Sequence, residues 1–505
     1  MSKRGSFYDP FESSIVMRNK LGMSGYGSPL LGQSHKSMHL LHGAIMGGQP
    51  MKGLTVQGAA ISFISTIIGA GIVSLPYVIL QAGYGLGISL HFIMILVLIF
   101  AVHLLLEARQ NLNLESFGEI AYACLGRPSV FIINFVITAA TSLIVVMYAL
   151  LFGKICESIA KAFIGDVYSD DGVKDFLESM MTSKISYIIL LYIILLPNIL
   201  KKNITELRFT SILLVFGVVS MLAIFLAKLV FKDYFTNPQD IKQPPYTKGS
   251  IVDSVTIVLT AYGFILNFYP IFAQLEVKTN KNGYFSTLLA MFFCFVAYIS
   301  FSFLALQSYG ENLNPNIFDN LQNETNIASY FIRLVFLAIF ICNIPFIFLP
   351  GKECLLMIID EAKHRTISHQ IARRIQLIKV NNGETSQMHS YTAIGQEEED
   401  LNGAQIAQRI PNGIYYSQTI GLFTLQMLCA VMIDDITLIF GFFAAISESV
   451  INFILPGLFY LISTKLAGKK FNRFTAIGSV VYVVFGVFLF FFANYNNYLK
   501  IVAEN

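Results

Sequence analysis

Residues 58–77 read GAAISFISTIIGAGIVSLPY. The run is apolar enough to enter a bilayer, yet Ser62, Ser65, Thr66, Gly69, Ala70, Gly71, Ser74 and Pro76 crowd its middle. A plain lipid anchor needs none of them. A membrane segment that opens its backbone to hold a solute or ion uses small, flexible and hydroxyl-bearing residues there. Small residues also let helices approach closely, so on this stretch alone a packing face reads equally well.

The rest of the chain tilts that balance. Of its 505 residues, 55% are hydrophobic and only 13% charged, with a mean hydropathy of +0.63. Soluble domains carry about 25% charge, and repeated apolar runs of about 20 residues predict an all-α integral membrane protein. Trp is absent, so any interfacial belt falls to the 24 Tyr and 44 Phe. A net charge of +3 gives no sign of a nucleic-acid partner. The six cysteines form no CxxC and no metal-ligand spacing, and read as small buried hydrophobes. No hydrolase constellation is present, and without a Walker loop ATP-driven pumping has no support. No repeated filter motif argues for a continuous pore.

Eleven crossings are predicted, over 54–79, 84–105, 129–151, 185–200, 209–231, 251–271, 284–306, 328–350, 416–433, 436–462 and 474–494. Residues 1–53 then form a polar, disordered cytosolic tail. Residues 54–350 hold crossings one to eight, and 351–415 a partly disordered cytosolic loop. Crossings nine to eleven occupy 416–494, and 495–505 a short non-cytosolic C-terminus. In this arrangement 24 of the 34 Lys and Arg lie on the cytosolic side and 8 on the other, as the positive-inside bias requires. Asn323-Glu324-Thr325 falls outside and is a glycosylation candidate, whereas Asn203-Ile204-Thr205 falls inside and stays bare. Residues 361–379 mix charge with Ile and Leu in the manner of a surface helix. Asp434-Asp435 reads as a tight external turn.

A second interrupted run spans 256–276, TIVLTAYGFILNFYPIFAQLE. Thr260, Tyr262, Gly263 and Asn267 break it before Pro270. It reads as an unwound helix with aromatics over a solute, or as an ordinary proline-kinked helix. Glu276 fits a gate or loop contact at its end. The two broken runs stand five crossings apart, and inverted-repeat carriers often hold substrate between discontinuous helices in such positions. Helix N-termini there attract a carboxylate and C-terminal carbonyls a cation or amine, a bipolar cradle suited to an amino-acid zwitterion. Asn343, beside Pro345 in crossing eight, reads as an oxygen ligand for sodium facing the hydroxyls of crossing one, or as glue between helices. Arg333 is expected to snorkel from the external end. His91 and His103 serve either as proton relays or in packing.

Four motifs carry a family resemblance. They are Ser65-Thr66-Ile67-Ile68-Gly69-Ala70-Gly71-Ile72 with Leu75-Pro76-Tyr77; Phe264 through Leu275; Ile344-Pro345 through Leu349-Pro350; and Ile439-Phe440-Gly441-Phe442 with Phe453 through Tyr460. In order and spacing the chain resembles the amino acid/auxin permease family, especially its sodium-coupled neutral amino-acid and vacuolar amino-acid transporter branches. The resemblance implies eleven transmembrane helices in a leucine-transporter-like fold, a five-plus-five inverted repeat with one extra C-terminal helix. It implies transport of small neutral amino acids, coupled to Na+ or H+. The family's unwound first helix maps onto Gly69-Ala70-Gly71, beside Ser65 and Thr66. The sixth-helix substrate region maps near Ala261, Tyr262, Gly263 and Phe264. Ser65 and Asn343 fall where sodium-coupled relatives carry Asn and Thr, and Asn267 where many carry His. No other cofactor is implied.

Two other functions compete with transport. One is a membrane amino-acid sensor that engages a cytosolic partner through the tail or the 353–415 loop. The other is a carrier of a different small organic solute. Residence in the plasma membrane and in a vacuolar or lysosomal membrane fit equally.

Overall fold

A computed structural model describes residues 54–114, 116–164, 180, 182–201, 207–230, 248–321, 324, 327–381 and 410–504. The tail, the two sequons' asparagines and the middle of the 351–415 loop lie outside the described residues. The regular secondary structure of the described residues is helical but for one isolated backbone bridge. In chain order the helices are α1 (Val56–Ile67), α2 (Leu75–Leu112), α3 (Phe117–Leu125), α4 (Pro128–Ile164), α5 (Lys184–Ile199) and α6 (Leu207–Val230). Then come α7 (Lys248–Ala261), α8 (Ile265–Phe272), α9 (Asn280–Tyr309), α10 (Ile317–Leu321) and α11 (Ile327–His364). The last are α12 (Thr366–Asn381), α13 (Asn412–Met432), α14 (Ile436–Phe443), α15 (Leu455–Leu466) and α16 (Arg473–Glu504).

Seven helical stretches among the described residues are long and apolar enough to cross a bilayer, against the eleven crossings expected. The difference has physical causes. The first expected crossing is broken, so α1 is short, and its second half runs on with the second crossing as one 42-residue stretch, Gly71–Leu112. A kink at Gly83, whose φ of 74° favours glycine, marks where the two were expected to part. α5 is only 16 residues long. The protein is therefore an all-α, multi-pass membrane protein.

The first break follows from local chemistry. Thr55 caps α1, accepting from the Gly58 amide at 3.1 Å. The hydroxyls of Ser62, Ser65 and Thr66 then donate back to the carbonyls of Gly58, Ser62 and Phe63 at 2.8–3.1 Å. Such back-bonding satisfies hydroxyls within the bilayer but weakens the regular ladder. The helix ends at Ile67, Ile68 and Gly69 are extended, and a 3₁₀ turn covers Ala70–Ser74 before Leu75-Pro76 restarts the α-helix.

The second break lies between α7 and α8. Phe264 sits at φ −147° and ψ −5° with no side chain capping the new helix. The two broken crossings are fastened together at three levels. The Leu54 amide donates to Gln274 O at 2.7 Å, and the Glu276 amide to Leu54 O at 3.0 Å. Glu276 thus serves a backbone joint at that end. Phe63 packs edge-on to Phe264 and stacks with Phe268. At mid-height, the Tyr298 hydroxyl on α9 lies 2.9 Å from both Ile67 O and Ala261 O, the carbonyls at which α1 and α7 stop.

α14, an eleven-residue π-helical segment (Ala444–Ile454) and α15 form one continuous rod through the interior. α16 lies at the periphery, leaving Phe474, Ile477, Val484 and Phe491 exposed, as a lipid-facing surface requires. Two buried cations tie the frame. Lys352 donates to Ile199 O, Lys201 O and the Tyr415 hydroxyl at 2.8–3.1 Å. Arg333 does not snorkel. It is fully buried, and its guanidinium donates to Ser158 Oγ and Glu324 O at 2.8 Å and packs on the Tyr330 ring. Enough fixed acceptors surround it to offset its desolvation.

Candidate functional site

A cavity of about 770 Å³ opens where the two breaks meet. Ser65, Thr66, Gly69 and Gly71 line it from the first crossing, and Ala261, Gly263, Phe264 and Asn267 from the sixth. Asn343 of α11 reaches the same cavity, so its walls join crossings one, six and eight. Ala70 belongs to the 3₁₀ turn of the first break. Tyr262 stands apart from the others. Its ring is buried between His91 and Tyr298, at 5.8 and 5.1 Å, and is not part of the cavity wall.

Close approach of backbones explains two glycines. A Cβ on Gly71 would fall 2.8 Å from Cα of Ala261, and one on Gly263 would fall 2.7 Å from Oε1 of Glu448. Gly69 has nothing within 4 Å of its Cβ position and faces open space.

The polar groups suit a small zwitterion. Ser65 and Thr66 spend their hydrogens on their own helix, which leaves oxygen lone pairs for a donor or cation. Uncapped first-turn amides of α8, at Phe264 to Leu266 on the cavity wall, suit a carboxylate. Thr260 Oγ1, Asn343 Nδ2 and Asn452 Oδ1 are buried with no hydrogen-bond partner among the described residues, and all three residues line the cavity. Unpaired buried polar groups are costly and mark places where a ligand completes the bonding. As an amide donor, Asn343 Nδ2 matches a carboxylate, whereas a sodium ion would need its Oδ1. Among the described residues no cluster of His, Cys, Asp and Glu has the arrangement to hold a metal ion, and all six cysteines are free thiols. His91 and His103 each have a ring nitrogen engaged, with Gly87 O and the Tyr284 hydroxyl.

In the tenth crossing the motif residues flank a stretch that they pass over. Ser447, Glu448 and Asn452, on the π-helical segment, also line the cavity. Glu448 is 4% exposed, and its carboxylate accepts from Asn452 Nδ2. The signal was present, since a lone carboxylate inside an apolar crossing is by default a functional candidate. π-helical segments, moreover, are frequent at such sites. Tyr298 also escapes notice, because a tyrosine in an apolar run gives no hint of the two carbonyls it meets.

The family profile described as "Transmembrane amino acid transporter protein" matches residues 52–499. The chain is 24% identical over 322 residues to "Amino acid transporter AVT6E" of Arabidopsis thaliana, a match covering 61% of this chain and 64% of that relative. Among solved structures it is similar to MhsT in complex with L-phenylalanine, at 13% identity and a TM-score of 0.38, covering 89% of this chain and 100% of that one. With the profile spanning nearly all of its membrane portion, the chain belongs to the transmembrane amino acid transporter family.

Proposed function

We propose that this chain is a secondary active transporter of small neutral amino acids, coupled to a sodium or proton gradient by alternating access. The observation that carries the reading is the meeting of the two helix breaks on one cavity. First-turn amides of α8 and the Gly69–Gly71 backbone would receive the substrate carboxylate, with the amine and side chain near Gly263, Phe264 and Asn267. Ser65 and Asn343 would serve a coupling sodium ion. The full architecture would be eleven crossings in a five-plus-five inverted, leucine-transporter-like repeat with α16 as the extra helix. The charge bias supports a cytosolic N-terminus, in either a plasma or a vacuolar membrane.

Radiolabelled amino-acid uptake into proteoliposomes tests this, with sodium and pH gradients imposed separately. Saturable, gradient-driven accumulation of neutral amino acids is expected. Binding without flux under any gradient would favour the sensor instead. Saturable flux of another organic solute, with none of amino acids, would favour the alternative carrier.

A further inference from the structure

We propose that Glu448 is the anionic anchor of the cavity, where it receives the ammonium group of the transported amino acid. The inference rests on the transport reading above and names the partner of the substrate's positive charge, which that reading leaves to the neighbourhood of Gly263.

Glu448 is the only formally charged side chain on the cavity wall, which carries no Lys, Arg, His or Asp among the described residues. The other titratable groups on that wall are Tyr148 and Cys354. His91 stands behind, against the ring of Tyr262. No ion pair to Glu448 exists among the described residues, and its one hydrogen-bond partner there is the amide of Asn452, four residues along the same segment. A carboxyl group taken out of water either holds a proton or takes a cation beside it, and an arriving ammonium supplies that cation. The buried cations Arg333 and Lys352 are occupied elsewhere, each with its own acceptors. Glu448 has an opening in place of a countercharge among the described residues.

Its position is specific. The carboxylate lies against Gly263, in the space a side chain there would fill, so the break in the sixth crossing and the charge form one surface. Helix C-terminal carbonyls at such breaks are the usual alternative for an amine. Here the terminal carbonyls of both broken helices, Ile67 O and Ala261 O, share the Tyr298 hydroxyl. Among the described residues, the buried unpartnered oxygens left on the wall are Thr260 Oγ1, one helical turn before Gly263, and Asn452 Oδ1, one turn after Glu448. An ammonium has three N–H donors and no acceptor. A carboxylate supplemented by neutral oxygens is the surface that chemistry recognises.

The test uses the full chain in proteoliposomes and measures exchange of labelled L-alanine without gradients. Wild type should be competed by neutral α-amino acids and not by propionate, which lacks the amine. Glu448→Gln should raise the half-saturating alanine concentration on the order of 30-fold or more, with Glu448→Asp recovering part of the loss. Gel-filtration profile and thermal unfolding establish that each variant is folded. An unchanged half-saturation in folded E448Q overturns the proposal. So does E448Q exchange that is normal but no longer answers to an imposed sodium or pH gradient, since the group then serves the coupling ion. If E448Q does not fold, the wild-type competition decides, and inhibition by propionate equal to that by alanine overturns the proposal. Absence of exchange of any amino acid by wild type would instead sink the transport reading itself, and this inference with it.

Discussion

Gly71 and Ala261 meet backbone to backbone, with the Cβ position of Gly71 2.8 Å from Cα of Ala261. The first and sixth crossings therefore touch at their breaks with no room for a methyl group. Gly69, two residues earlier, has an extended backbone open to any residue and an empty Cβ position. Gly71→Ala should cut the uptake rate about tenfold or more and lower the thermal midpoint, because main chain must move to admit the methyl. Gly69→Ala should fold normally, and any loss it shows should appear as weaker substrate affinity. Equal behaviour of the two variants in paired melts and uptake assays would count against this contact.

Tyr298 holds two chain ends with one hydroxyl. Its oxygen is 2.9 Å from Ile67 O and from Ala261 O, both buried in the bilayer interior. Tyr298→Phe keeps the ring against Tyr262 but leaves both carbonyls short of a donor. A buried acceptor left unsatisfied costs about 1–3 kcal/mol. The variant should unfold at lower temperature by a corresponding margin and should carry amino acid more slowly, since the ends of α1 and α7 are no longer tied. Thermal unfolding and uptake of the detergent-purified and reconstituted forms check this. A melt identical to wild type would remove Tyr298 from the account.

Ser65 and Asn343 reach one cavity from different crossings. If an imposed sodium gradient drives uptake, Ser65→Ala and Asn343→Ala should each raise the sodium concentration for half-maximal stimulation, by about tenfold. Sodium-free exchange of the same variants should change less. Sodium dependence that survives in the double variant would place the ion elsewhere.

Both broken crossings could be read from sequence because their cause is local. Gly69 to Gly71 and Tyr262 to Phe264 announce weak helix, and weak helix is a property of the residues themselves. What could not be read was which way each residue faces. Tyr262 sits inside the second break, yet its ring packs between His91 and Tyr298, because only tertiary packing selects the face of an unwound segment. Arg333 shows the same limit. Near the end of a crossing, snorkelling is the cheap solution, but here Ser158, 175 residues away in sequence, joins Glu324 O in a buried cradle. Glu448 was visible as a charge in an apolar run, but the glycine it covers lies 185 residues away, and no spacing rule joins the two.

α12, expected from sequence as a surface helix, lies over the cavity. Ile367 and Ile371 form part of the cavity wall, and so does Cys354. The helix departs from α11 at Arg365, whose φ of 57° makes a sharp corner. It is held down by Glu361, which is completely buried. That carboxylate accepts from Arg127 Nε at 3.0 Å, from the Ser368 hydroxyl at 2.5 Å and from the Ser368 amide at 3.1 Å. Three charge-assisted bonds thus fasten α3–α4, α11 and α12 at one point. Glu361 is buried but Arg127 is 35% exposed, so loss of the carboxylate forfeits about 1.5–3 kcal/mol of hydrogen bonding to a charged group, in favour of a detached α12. Glu361→Ala, in a background where Cys354 is the sole cysteine, should therefore expose that thiol. Its maleimide labelling should accelerate by about tenfold or more as the freed energy goes into opening. Glu361→Gln, which keeps acceptor and donor capacity without the charge, should fall between. Labelling rates unchanged in E361A would show that α12 is held by its apolar face alone, with the Arg127–Glu361–Ser368 cluster contributing little.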